Sequence, residues 1–110
     1  MNTTPDVEAV FEFNGVRKNP ASDGYRPAHL VKPNYLTTGV HHYYDVKAVA
    51  SDGIAKGTIT FITPEFYPAC LWVGKKINIQ EGGKTVGYAT ITLIFNSLLE
   101  KPEGALESTK

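Results

Sequence analysis

The stretch that decides the fold is Ile77-Asn78-Ile79-Gln80-Glu81-Gly82-Gly83-Lys84-Thr85-Val86-Gly87. On the approach to the glycine pair, apolar and polar residues alternate with the period of a strand that has one buried face. Two adjacent glycines tolerate positive φ at both central positions of a tight turn. The stretch therefore predicts a β-hairpin with a returning strand at 84–95 and a bulge or bend near its glycine. The side chains predicted to face inward from that strand are Ala89, Ile91, Leu93 and Phe95.

Alternation of the same period recurs along the rest of the chain. Residues 7–13 place Val7, Ala9, Phe11 and Phe13 on one side, and turn-rich segments separate the runs that follow. Six short strands without a convincing amphipathic helix are typical of a sandwich or a barrel. The strands are predicted at 7–13, 25–31, 40–50, 57–62, 75–81 and 84–95.

Charge composition limits the partners that the chain can attract by its overall field. The 110 residues carry 11 basic and 11 acidic side chains, so the formal net charge is +0 at pH 7. We expect one compact domain without the strong positive field of many nucleic-acid-binding proteins. A local basic patch is still compatible with this balance, because a few lysines on one face are enough to form it.

Cysteine content and the first residues bear on the cellular compartment. Cys70 is the single cysteine, so an intramolecular disulfide is impossible and a reducing compartment is expected. Residues 1–8 lack the basic start and apolar run of a secretory signal, and no stretch has the apolar length of a membrane helix. These features predict a cytoplasmic protein that does not bind membranes.

Two motifs, taken in order, point to a known family. Gly24-Tyr25-Arg26-Pro27 follows a loop after the first strand, and Glu81-Gly82-Gly83-Lys84-Thr85-Val86-Gly87 precedes the last one. Both resemble the third, C-terminal domain of elongation factor Tu, and the similarity spans roughly residues 6–95. The resemblance implies an all-β fold, a six-stranded antiparallel closed β-barrel. We place that barrel at 7–96, between a flexible N-terminus at 1–6 and a polar C-terminal tail at 97–110.

The resemblance also suggests what the chain binds. In the full factor this domain packs against the other domains and helps to bind aminoacyl-tRNA and the exchange factor. The chain has neither a Gly-x-x-x-x-Gly-Lys-Ser/Thr loop nor an Asn-Lys-x-Asp motif, so we expect no GTP and no cofactor. The predicted function is a non-catalytic binding module for a protein or a tRNA-like RNA. The alternative is a stand-alone regulatory or immunity-type protein that reuses the barrel; the sequence predicts no oligomeric state.

The first candidate for partner binding is Arg26. Its planar guanidinium suits a partner's carboxylate or phosphate. Alternatively, it ties the long preceding loop to the barrel by donating to backbone carbonyls. This second interpretation is favoured because Arg carries five donors.

Two lysines and one tyrosine complete the candidate set. Lys76 and Lys84 flank the glycine hairpin and are predicted to lie close to its base, where they would contact an RNA backbone or form a solvated edge. In the aromatic loop at 66–72, Tyr67 is expected to be exposed for a partner and Trp72 to be buried. For most side chains of this loop, the favoured interpretation is a plug that closes one end of the barrel.

Histidine and cysteine offer little support for catalysis or metal binding. His41 and His42 are neighbours on a predicted strand, so their side chains point to opposite faces and cannot hold one metal together. We expect His41 to be exposed and His42 to lie in the barrel wall, whereas His29 is too distant in sequence to place. Cys70 is interpreted as a small buried hydrophobe. No metal ligand and no catalytic residue is therefore predicted.

Overall fold

The computed structural model describes residues 4–101, which form a closed barrel of antiparallel strands in the order β1-β6-β4-β3-β7-β8. Strands β2 and β5 pair separately as a short ribbon. None of the helical turns in these residues is long and apolar enough to cross a membrane. The strands are β1 (Val7–Phe13), β2 (Ala21–Ser22), β3 (Ala28–Lys32), β4 (Tyr35–Tyr43), β5 (Ala48–Val49), β6 (Ile54–Phe61), β7 (Lys76–Glu81) and β8 (Lys84–Ile94), with 3-10 turns at Pro64–Phe66 and Ser97–Leu99.

The glycine hairpin joins β7 to β8 as predicted. Gly82 and Gly83 have φ values of 55° and 84°, the left-handed conformation that a primed two-residue turn requires. The pairing slips by one residue between Ile79 and Gln80, which leaves Val86 as the extra residue on β8. The irregularity predicted around Gly87 is thus present, and a barrel uses such irregularities to bend its strands.

Strand β4 differs from the run predicted at 40–50. A tight turn with Asn34 at φ 63° sends the chain back directly after β3, so the strand begins at Tyr35 and ends at Tyr43. Its inward side chains are those at the odd positions, and its even positions face out. The inward set is Thr37, Gly39, His41 and Tyr43.

The last part of β8 also departs from prediction. Leu93 and Phe95 were predicted to face inward, but they are 48% and 47% exposed. The reason is a shift in the pairing with β1, where Glu8 pairs with Leu93 and the next residue pairs with Ile91. One extra residue, Thr92, therefore reverses the direction of the side chains beyond it.

The core fills the barrel and extends beyond its predicted end. Ile79 and Ile91 are buried as predicted. Leu99 is also fully buried, although it lies in the segment predicted as a polar tail, and the remaining tail at 102–110 lies outside the described residues. Of the predicted flexible N-terminus, residues 1–3 lie outside the described chain, whereas the buried Asp6 accepts a hydrogen bond from the Phe61 amide at 2.7 Å.

Candidate functional site

Arg26 lies on the outer wall of the barrel, just before β3. The amides of Gly39 and His41 donate to the carbonyls of the residues on either side of Arg26, which places it opposite Val40. Val40 pairs in turn with Thr60 on β6. These three outward side chains therefore form one row across three neighbouring segments.

The row borders a groove of about 470 Å³, a volume within the usual range for a ligand site. The groove is lined by Arg26, Val40, Thr60, Phe61 and Ile62, of which Ile62 is 58% exposed. The same outward face continues over β3 and to Leu36 on β4, which is 50% exposed. We call this surface the Arg26 wall, and Arg26 is its single charged residue. The wall consists of Arg26, Ala28, Leu30, Leu36, Thr38, Val40, Thr60 and Ile62.

The Arg26 side chain does not tie the loop to the barrel. It is exposed, and within residues 4–101 it donates no hydrogen bond and has no carboxylate within ion-pair distance. The interpretation favoured from sequence is therefore wrong. No group in the described part of the chain therefore occupies its guanidinium.

Arg17 performs the fastening that was predicted for Arg26. Its Nε donates to Glu81 Oε2 at 2.7 Å, and its guanidinium lies 4.5 Å from the centre of the Tyr25 ring. The Tyr25 hydroxyl donates to the same carboxylate. This hydrogen bond from Tyr25, and the neighbouring Arg17, hold the pKa of Glu81 below its ordinary value against the opposing effect of burial. The loop at 14–24 is thus fixed to the tip of β7.

Tyr67 was predicted to be exposed for partner binding, and this is wrong. The side chain is fully buried, and its hydroxyl lies 2.9 Å from Thr37 Oγ1. Its ring packs against Tyr35 and Phe61, with centroids 5.2 and 6.0 Å away. A phenol that finds both an apolar slot and a hydrogen-bond partner is more stable inside, so Tyr67 plugs the barrel end.

The prediction for Trp72 is also wrong: the side chain was predicted to be buried, and it is 38% exposed. Cys70, in the same loop, is buried as predicted, and that burial raises the pKa of its thiol. The raised pKa lowers the fraction of reactive thiolate at neutral pH.

Lys76 and Lys84 are both exposed, but they do not share one patch. Lys84 pairs with Glu81 across the turn, whereas Lys76 begins β7 at the other end. The prediction that both lie near the base of the hairpin is therefore wrong for Lys84. Lys76 Nζ is 3.8 Å from Glu12 Oε1 and 5.1 Å from the centre of the Tyr88 ring. The positive charge of Lys76 thus already interacts with Glu12 and the Tyr88 ring.

Sequence reasoning missed a pair of histidines at the centre of the barrel. His29 Nε2 and His41 Nε2 are 2.8 Å apart, and both side chains are fully buried. The Phe11 ring stacks on His41 with centroids 4.2 Å apart. The prediction for His41 and His42 was inverted: His42 is exposed and its Nδ1 lies 3.1 Å from the Asp23 carboxylate.

The hydrogen bonds around the pair fix where its protons lie. The Thr37 carbonyl, 3.3 Å from His29 Nδ1, can only accept, so that nitrogen carries the proton and the other accepts from His41. His41 Nδ1 then accepts from the Tyr43 hydroxyl at 3.0 Å. Burial lowers the pKa of His29 to about 4 and that of His41 well below its ordinary value. Both imidazoles are therefore neutral at pH 7.

The interior polar groups are satisfied by one another. Within residues 4–101, no buried side-chain nitrogen or oxygen lacks a hydrogen-bond partner. The outer surface differs, because the Arg26 guanidinium and the groove beside it are exposed to solvent. No protein-family model matches the chain.

Proposed function

We propose that the chain is a non-catalytic binding module, similar to the third domain of elongation factor Tu, and that it holds a protein partner on the Arg26 wall. The observation that carries the proposal is a guanidinium without a partner among residues 4–101, beside a groove of about 470 Å³ in an otherwise uncharged and largely apolar surface. Apolar patches on a soluble domain, bordered by a few polar groups, are typical of interaction sites.

The chemistry of the wall favours one kind of partner. An arginine at the border of an apolar groove binds a carboxylate through paired hydrogen bonds, and the apolar floor takes aliphatic or aromatic side chains. A phosphate backbone would need several cations in a row, and Arg26 is the single charge on this wall. The proposed occupant is therefore a protein segment in which a carboxylate lies next to apolar side chains.

A random heptapeptide phage library is the probe that tests this proposal. Selection on the wild-type chain, with counter-selection on Arg26→Glu, should enrich peptides that combine Asp, Glu or a free C-terminus with apolar residues. Synthetic versions should bind Arg26→Glu roughly tenfold to hundredfold more weakly, since one charge-assisted hydrogen bond contributes about 1.5–3 kcal/mol. Lys47→Glu carries the same charge reversal away from the wall and should bind like wild type.

Two results would contradict the proposal. One is a selection that enriches no sequence, and the other is a set of peptides that bind Arg26→Glu as tightly as wild type. The link to translation is tested separately, by mixing labelled chain with elongation factor Tu and with aminoacyl-tRNA. Absence of binding at tens of micromolar would remove that link and leave the peptide result standing.

A further inference from the structure

Two lysines lie against the single tryptophan at the barrel end where β3 finishes and β7 begins, and a third lysine ends β3. Lys75 Nζ lies 4.5 Å from the centre of the Trp72 ring, and Lys101 Nζ lies 5.5 Å from it. Lys32 is close by, because Lys75 also donates to the carbonyl of the preceding residue, Val31. We call Lys32, Trp72, Lys75 and Lys101 the Lys–Trp cluster.

The cluster is held in place by the backbone. Lys75 Nζ donates to the Cys70 carbonyl at 2.7 Å, which uses a second of its three protons and leaves one available. The Lys101 amide donates to the Leu71 carbonyl at 2.8 Å, so the end of the described chain is attached beside the tryptophan. These bonds hold the Lys75 ammonium and the backbone of Lys101 beside Trp72.

The positive charge of the cluster is not neutralised within residues 4–101. None of the three lysines has a carboxylate within ion-pair distance, and Glu100 pairs with none of them. Elsewhere Lys56 lies 3.5 Å from a carboxylate oxygen of Glu8. Burial, and to a smaller extent the neighbouring Lys101, lower the pKa of Lys75. A site that concentrates like charges in this way gains by binding an anion.

We propose that the Lys–Trp cluster binds single-stranded RNA, with phosphates at the lysines and a base against Trp72. The indole is 38% exposed, and Lys32 Nζ lies 5.3 Å from the centre of the Tyr35 ring. Cations that follow a phosphate backbone, together with aromatic faces for unpaired bases, are how proteins bind single strands. A duplex keeps its bases stacked and cannot offer one to the indole.

This site is independent of the proposed function. Its lysines lie at the end of β3, at the start of β7 and at Lys101, whereas Arg26 lies just before β3 begins, at the opposite end of that strand. It also differs from the lysines chosen from the sequence, since neither Lys76 nor Lys84 belongs to it. Arg26→Glu should therefore leave RNA binding at this site unchanged, which keeps the two tests separate.

Because Trp72 is the single tryptophan of the chain, its fluorescence reports directly on binding at the cluster. Titration with an oligoadenylate of about ten nucleotides should quench Trp72 emission to saturation. With three phosphates neutralised, the slope of log affinity against log salt should be about −2, so affinity falls roughly 20-fold between about 50 and 200 mM salt. Lys32→Ala and Lys101→Ala should each reduce the slope by about 0.7, while Lys47→Ala should not change it.

Base stacking is tested with fluorescein-labelled RNA followed by anisotropy. Trp72→Leu should weaken binding roughly tenfold, because one stacked base contributes about 1–3 kcal/mol. The proposal is overturned if oligoadenylate at about 100 µM fails to change the emission at low salt. It is also overturned if tripolyphosphate or duplex RNA binds as tightly as the single strand, or if Lys47→Ala lowers affinity as much as Lys101→Ala.

Discussion

Lowering the pH from 7 to 5 should destabilise the barrel through its central histidine pair. His29 has a pKa of about 4 in the folded chain, against 6.5 for an exposed histidine. Between these values the unfolded chain binds a proton that the folded chain excludes, so stability is complete above pH 6.5 and is lost as the pH falls toward 4. At about 1.4 kcal/mol for each pKa unit, His29 alone accounts for about 3 kcal/mol, of which about 2 kcal/mol is lost by pH 5.

The neighbouring groups sharpen this prediction. The pKa of His41 is lowered in the same direction, so its contribution adds to the loss. The pKa values of Glu8 and Glu81 are also lowered, but their ordinary value of 4.5 confines their effect to more acidic solution. The window from pH 6.5 to 5 therefore isolates the histidines. The other groups that surround the pair are neutral: the rings of Phe11, Tyr25, Tyr43 and Phe61 and the carbonyl of Thr37.

Urea unfolding followed by circular dichroism at pH 7, 6 and 5 measures the loss. His42→Gln removes an exposed imidazole and should keep the pH dependence, whereas His29→Gln should remove its share of it. A free energy of unfolding that changes by less than about 0.5 kcal/mol between pH 7 and 5 would refute the reasoning. If His29→Gln does not fold, an NMR titration of the wild-type imidazoles gives the same answer, and a signal titrating near pH 6.5 for His29 would refute it.

Two further predictions concern stability at single positions. Leu99→Ala should lower the free energy of unfolding by about 2–5 kcal/mol because the side chain is fully buried. The control is Leu98→Ala, at a position 46% exposed, which should change it by less than about 0.5 kcal/mol. Equal effects of the two substitutions in urea unfolding would show that Leu99 is not packed. Gly57→Ala should lower the free energy of unfolding more than Gly82→Ala. The new Cβ at 57 would meet the His42 carbonyl oxygen at 2.1 Å, whereas alanine at position 82 costs only about 1–2 kcal/mol for its positive φ. The reverse order in the same assay would contradict the close strand approach.

Local signals made most of the barrel predictable. The glycine hairpin and the alternation of β1 and β7 are properties of adjacent residues, and both were predicted correctly. The direction of β8 beyond Ile91 was not predictable, because the extra residue at Thr92 is defined by pairing with β1, far away in sequence. A periodic pattern cannot reveal where a distant partner slips by one residue.

The interior of β4 shows why the candidate site was harder to predict. Alternation separates His41 from His42 correctly but does not say which face is inside, and the prediction exposed His41, which is the buried one. His41 is inside because His29, twelve residues earlier, supplies its hydrogen-bond partner. In the same way Arg17, and not Arg26, fastens the loop because Glu81 is close to Arg17 in space. Each of these outcomes depends on a partner that the sequence does not place.

Pairing of β1 with β8 brings the two ends of the described chain together. Val7 lies opposite Ile94, and Asn96 Nδ2 donates to Asp6 Oδ1 at 2.8 Å. During synthesis the first strand therefore has no neighbour on one side until β8 has left the ribosome, so the ring cannot close before then. Because the two ends lie close together, the chain is suited to circular permutation, in which the strands follow one another in a different order but keep the same pairing partners. A chain opened at the glycine turn and rejoined by a short linker between residues 6 and 96 would contain every strand pair of the ring.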